Sequence, residues 1–171
     1  QGKTWNPLNK GVKADYLKKT NVAYGHDPHS LTMHPYKPDR LFQQNHCGIY
    51  RIDRPKKNWV RIGDNMPADI GDIGFPIILH PNDPNTLWVF PIDGTEIWSR
   101  VCPEGQPAIY CSKDGGDSWF RQDIGLPMRN AWLTVLRKSL CSDCMIQAGV
   151  YFGTTSGTLW MSDNEGNSWR Q

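Results

Sequence analysis

Two stretches of this chain write the same turn twice. Ser112-Lys113-Asp114-Gly115-Gly116-Asp117-Ser118-Trp119 aligns with Ser162-Asp163-Asn164-Glu165-Gly166-Asn167-Ser168-Trp169, sharing the pattern S-x-[DN]-x-G-x-S-W. Gly2, Thr4 and Trp5 fit the tail of the same pattern, and a worn copy ends at Trp59. There Asp53 and Asn58 remain, but Lys56 takes the glycine position. Trp5, Trp59, Trp119 and Trp169 lie 54, 60 and 50 residues apart. A period of that length is the mark of a repeat architecture.

Two further features keep the same step. His34-Pro35-Tyr36-Lys37-Pro38-Asp39-Arg40-Leu41 matches His80-Pro81-Asn82-Asp83-Pro84-Asn85-Thr86-Leu87, 46 residues later. Gly63-Asp64-Asn65-Met66-Pro67 is echoed by Gly125-Leu126-Pro127. Between these punctuation marks each period predicts four short strands. The first unit places them at 30–34, 40–45, 48–52 and 59–62. The second places them at 76–80, 86–91, 108–112 and 119–122. The third places them at 132–137, 150–153 and 159–162, with a start at Trp169. Sixteen Gly and thirteen Pro among 171 residues oppose long helices and suit tight turns. Eight Trp supply large rings for a core. Strands of about five residues, four to a unit of about fifty, point to β-propeller blades. The fold expected is therefore all-β, with about three four-stranded antiparallel blades and the repeated turns between third and fourth strands. The blade-like units run approximately 26–63, 73–123 and 130–171, and residues 1–12 end a preceding blade.

The turn has a physical task. The Asp or Asn side chain accepts backbone N–H groups, the Ser hydroxyls bond nearby backbone, and Gly116 and Gly166 stand where φ must be positive. The Trp then buries its ring and holds the hairpin to its sheet. Ser112, Asp114, Gly116, Ser118 and Trp119, with Ser162, Asn164, Gly166, Ser168 and Trp169, are thus structural residues.

This pattern resembles the Asp-box, or bacterial neuraminidase repeat, of sialidases, sortilin-type receptors and other propellers. Leu41-Phe42-Gln43-Gln44-Asn45-His46-Cys47-Gly48-Ile49-Tyr50-Arg51 and Tyr151-Phe152-Gly153-Thr154-Thr155-Ser156-Gly157 are similar to sialidase-like glycosyl hydrolases of that repeat type. The resemblance covers essentially the whole chain and corresponds to the C-terminal half of such proteins. It implies a glycoside-hydrolase-like or carbohydrate-binding propeller, related to exo-sialidases if catalytic. The alternative is a non-catalytic recognition or scaffold propeller that binds a protein or small ligand through its central face. Propellers close with 4–8 blades, so three units require completion. The expected partners are the remainder of a longer propeller or a second copy of the chain, with a carbohydrate or protein as ligand.

Candidate chemistry is sparse. His29, Asn45 and His46 do not recur in the next unit, and the resemblance places them near the central channel as ligand-binding candidates. His29 and His46 are also the candidates for a metal. His26-x-x-His29 sits in a Pro-containing loop and lacks helical metal-site spacing. His34 and His80 recur before Pro and read as turn residues. Cys102 and Cys111 flank a turn across which they could pair. Cys141-x-x-Cys144 has neither a second C-x-x-C nor a following helix, so it reads as loop thiols. No cofactor is expected. The resemblance also asks for converging arginines, a Tyr nucleophile and acidic partners. Arg51, Arg61, Arg100 and Arg137, Tyr24, Tyr50, Tyr110 and Tyr151, and Glu96, Glu104 and Glu165 are the residues available. The F/Y-R-I-P motif of sialidases is absent, and no catalytic residue is assigned.

A formal charge of +2 gives no broad basic footprint, so nucleic acid is not an expected partner. No apolar run reaches about 18 residues, so no membrane helix is expected. Nor does an apolar segment follow Gln1-Gly2-Lys3, and no signal peptide is expected.

Overall fold

Leu87-Trp88-Val89-Phe90 offers no polar residue to turn toward water, and the computed structural model buries this strand on both faces. The structure describes residues 2–19, 22–94 and 100–171. Among them the strands fall into three antiparallel sheets. The first contains β1 (Pro28–His34), β2 (Lys37–Asn45), β3 (Gly48–Asp53) and β4 (Val60–Arg61), paired in that order. The second contains β5 (Gly74–Leu79), β6 (Leu87–Pro91), β7 (Ile109–Ser112) and β8 (Phe120–Gln122). The third contains β9 (Leu140–Ser142), β10 (Val150–Gly153) and β11 (Leu159–Ser162), and a bridge from Met161 to Arg170 supplies its fourth line.

The core lies between the sheets. Leu87 and Val89 of β6 face the first sheet, in one cluster with Phe42, Ile49 and Ile62. Trp88 and Phe90, one residue out of phase, face the third sheet and meet Val150, Phe152 and Trp169. Side chains alternate across a strand, so a middle sheet buried on both faces needs this unbroken apolar run. The outer face of the first sheet packs Tyr50, Ile52 and Trp59 against Val12. No helix is long and apolar enough to cross a membrane among the described residues.

The repeated turns close as their residues require. Gly116 donates its N–H to Ser112 Oγ at 2.7 Å, and Ser118 donates its own to Asp114 Oδ1 at 2.9 Å. The second copy repeats this with Gly166 to Ser162 Oγ and Ser168 to Asn164 Oδ1, both at 2.9 Å. Gly116 has φ of +98° and Gly166 of +83°, where a β-carbon is strained. A β-carbon on Gly116 would also overlap the side chain of Ile62, in the turn that follows β4. The worn copy closes through backbone instead, from Lys56 N–H to Asp53 O.

The tryptophans do more than hold their own hairpins. Trp119 Nε1 donates to Ile62 O and Trp169 Nε1 to Gln122 O, each reaching back to the end of the previous sheet. Trp59 Nε1 reaches Leu8 O in the same sense. The rings are joints between units. One strand expectation fails: residues 132–137 form no regular strand, and the third sheet begins at Leu140 instead. A turn from Ser139 N–H to Leu136 O breaks the run, so residues 139–142 take up the pairing with β10.

Candidate functional site

The β1–β2 ladder slips where the site begins. Pro28 faces Asn45 and Ser30 faces Gln44, so His29 is an extra residue with no partner opposite it. Pro28 has no N–H to give the ladder, and such bulges re-aim a side chain. His29 and Ser30 are consequently both buried, against the usual alternation. The imidazole of His29 crosses to the second sheet, with Nδ1 2.6 Å from Gly74 O. Its Nε2 lies 3.1 Å from Asp27 Oδ2.

His46 occupies the turn between β2 and β3, and its backbone N–H donates to Asp27 O at 2.9 Å. Its Nδ1 lies 3.7 Å from the same Asp27 Oδ2. The two imidazoles stand edge to face at 5.6 Å, and Tyr16 meets His46 in the same manner at 5.2 Å. Phe75 lies 4.7 Å from His29 on the other side.

These groups open on a cleft of about 280 Å³. Buried His29, Cys47, Phe75 and Ile92 make its floor, while exposed Asp15, Tyr16 and Arg100 stand at its edge. Arg61 and Asp93 complete the wall. Arg61 is fixed by a two-pronged bond to buried Asp72, with Nε to Oδ2 at 2.8 Å and Nη2 to Oδ1 at 2.7 Å. That carboxylate holds the Arg61 guanidinium above its ordinary pKa. A β-carbon on Gly48 or Gly63 would run into the same carboxylate, which explains both glycines.

Burial pulls the pKa of His46 below its ordinary value, helped by His29 and Arg100 and opposed by Asp27. The ring is therefore biased toward the neutral form, able to accept a proton or a cation. Burial pushes the Cys47 thiol and the Tyr16 phenol up, so neither is an activated nucleophile.

The sequence candidates separate clearly. His29 and His46 come together at the cleft. Asn45 is wholly buried beside them, its Oδ1 accepting the Cys47 N–H, and does not line the cleft. His26 bonds Val22 O instead. Arg51 is committed to Gly115 O and Asp117, while Arg137 packs over Phe75. Tyr50 and Tyr110 are core residues, Tyr151 donates to Asp143, and Tyr24 does not line the cleft. Glu96 lies outside the described residues. The cysteines are all free thiols. Cys102 Sγ donates to Ala131 O and Cys111 faces Ser112 O, so the pairing suggested by their spacing does not form. Burial raises the Cys111 thiol to about 12. Sequence reasoning missed Asp27, Tyr16 and Phe75. Asp27 sits two residues before His29, and that D-P-H spelling at a strand start was its available signal.

No family profile and no curated protein sequence matches this chain. Solved structures do. The GH74 xyloglucanase from Xanthomonas campestris superposes with a TM-score of 0.66 at 20% identity, over 86% of this chain and 21% of its own. An ancestral GH74 enzyme gives 0.63 at 16% identity, over 84% of this chain and 18% of its own. YCF48 from Cyanidioschyzon merolae gives 0.52 at 14% identity, over 87% and 40%. These likenesses, with the antiparallel sheets, show a β-propeller fold of about three blades. The chain spans about a fifth of the length of the two GH74 proteins.

Proposed function

We propose that this chain supplies a carbohydrate-binding cleft to a glycoside-hydrolase-like propeller of the Asp-box kind, completed by further blades or by a second copy. The observation that carries the reading is the make-up of the cleft. A sugar ring presents apolar C–H faces and a girdle of hydroxyls, so it needs an aromatic or aliphatic surface bordered by charged hydrogen-bonding groups. Tyr16, Phe75 and Ile92 offer the surface, and Asp15, Asp93, Arg61 and Arg100 offer the border. The GH74 likeness supports the same ligand class.

A neutral glycan suits this border better than a sialic acid. A carboxylate sugar calls for several free guanidinium forks, whereas Arg61 is bound to Asp72 and Arg51 to Gly115 and Asp117. Isothermal titration of the chain with xyloglucan oligosaccharides and with sialyllactose tests the reading. Saturable binding of the neutral glycan, lost in Tyr16→Ala, is expected. Absence of binding by either sugar would overturn it. Chromatography of the same mixtures separates the roles: released product marks a hydrolase, and bound but intact glycan marks a recognition module.

A further inference from the structure

Both ring nitrogens of His29 face oxygen atoms. A peptide oxygen only accepts, so the 2.6 Å contact with Gly74 O puts the proton on Nδ1. In the neutral ring Nε2 is then a lone pair, and it lies 3.1 Å from Asp27 Oδ2, itself an acceptor. Something positive belongs between them. A second proton on His29 would meet that need, yet it leaves His46 without an account. Its Nδ1 is turned toward the same carboxylate oxygen from 3.7 Å, too far for a good hydrogen bond. Donor atoms about 2.0–2.1 Å from one tetrahedral ion sit roughly 3.3 Å apart by simple geometry. The two measured separations bracket that figure, and the three residues offer donor atoms within 4.8 Å of one another.

We propose that Asp27 Oδ2, His29 Nε2 and His46 Nδ1 bind one divalent transition-metal ion, of which zinc is the natural probe. Two imidazoles and one carboxylate suit zinc and its neighbours better than calcium or magnesium, which take oxygen ligands. The Gly74 carbonyl plays the usual outer partner, fixing the tautomer and aim of His29. Arg137 Nη2 lies 3.9 Å from the other Asp27 oxygen, leaving Oδ2 for the ion. Three protein ligands leave a fourth position for water or ligand. His29 and His46 both line the cleft, so the two imidazole ligands belong to its wall.

The inference does not rest on the carbohydrate reading, and its test uses no sugar. Exposed Cys141 and Cys144 are rival zinc ligands, so the whole chain is made with Cys141→Ser and Cys144→Ser. It is loaded with zinc, freed of excess by gel filtration, and assayed by elemental analysis. Cobalt replaces zinc in a parallel sample read by visible absorption. One zinc per chain and the absorption of four-coordinate cobalt are expected. His46→Ala and Asp27→Asn, each at a partly exposed side chain, should weaken binding beyond the roughly 10–100-fold typical of outer-partner changes. Thermal melting of the metal-free variants confirms that they fold, and either folded variant suffices. Zinc retained only in traces, or bound equally by parent and variants, would overturn the site.

Discussion

β1 and β5 are the same strand in successive units, 46 residues apart, and they agree at one end while parting at the other. At the shared end His34 Nδ1 accepts the Tyr36 N–H, which leaves Nε2 to donate to Pro81 O in the next unit at 2.9 Å. His80 repeats the gesture: Nδ1 accepts the amides of Asn82 and Asp83, and Nε2 faces the Glu165 carboxylate of the third unit at 3.5 Å. At the other end the offset sets His29 against Phe75, and the two unlike rings touch. Where the units match, side chains join sheets. Where they differ, a cleft opens between them.

The joint end should break hardest. Trp119→Ala removes a ring lodged between the first two sheets and is expected to cost about 3–5 kcal/mol by urea denaturation. A loss under 1 kcal/mol would mean the ring is not a joint. His34→Ala leaves the Pro81 carbonyl and the Tyr36 amide without their partner, for about 2 kcal/mol in the same assay. His29→Phe copies the second unit's residue into the first. It keeps a ring and loses the bond to Gly74, so about 1 kcal/mol is expected. Made in the Cys141→Ser and Cys144→Ser background, that variant should lose zinc retention while the fold stays. If His29→Phe unfolds the chain and His34→Ala does not, the division between joint and site is reversed.

The smallest effect compares the two intact turns. Burial tends to raise the Asp114 pKa, but the Ser118 hydroxyl and amide and the Ser112 hydroxyl outweigh it and hold it below the usual carboxylate range. Its contribution is therefore complete above the unfolded value of about 3.9 and drains away as pH falls through the lower folded value. Asn164, in the matching place, carries no such proton. Asp114→Asn should melt with a shallower decline below about pH 4 than the parent, with little change in slope at neutral pH. Parallel decline in both proteins would remove Asp114 from the acid response.

Most of the architecture could be read from the sequence because it is periodic. Ser112, Gly116 and Trp119 declare their turn through chemistry that Ser162, Gly166 and Trp169 repeat, and the strands between them follow. The failure at residues 132–137 has a local cause. The apolar run Trp132-Leu133-Thr134-Val135-Leu136 imitates a strand, while its pairing partner is decided by the turn at Ser139. The site was half legible. Failure to repeat singled out His29 and His46, but also Asn45, whose side-chain oxygen accepts the Cys47 N–H and which does not line the cleft. Asp27 and Tyr16 were passed over by that reasoning, since they precede the first unit's strands, where the repeat was compared. The bulge that aims His29 is a matter of register, and residue types alone do not spell it.

The backward reach of Trp119 and Trp169 also sets an order of completion during synthesis. Ile62 is made 57 residues before Trp119, and Gln122 is made 47 before Trp169. At about 5–20 residues per second, a finished sheet waits several seconds for the ring that covers its end. Each new unit thus arrives at the ribosome exit as the lid of the one before it.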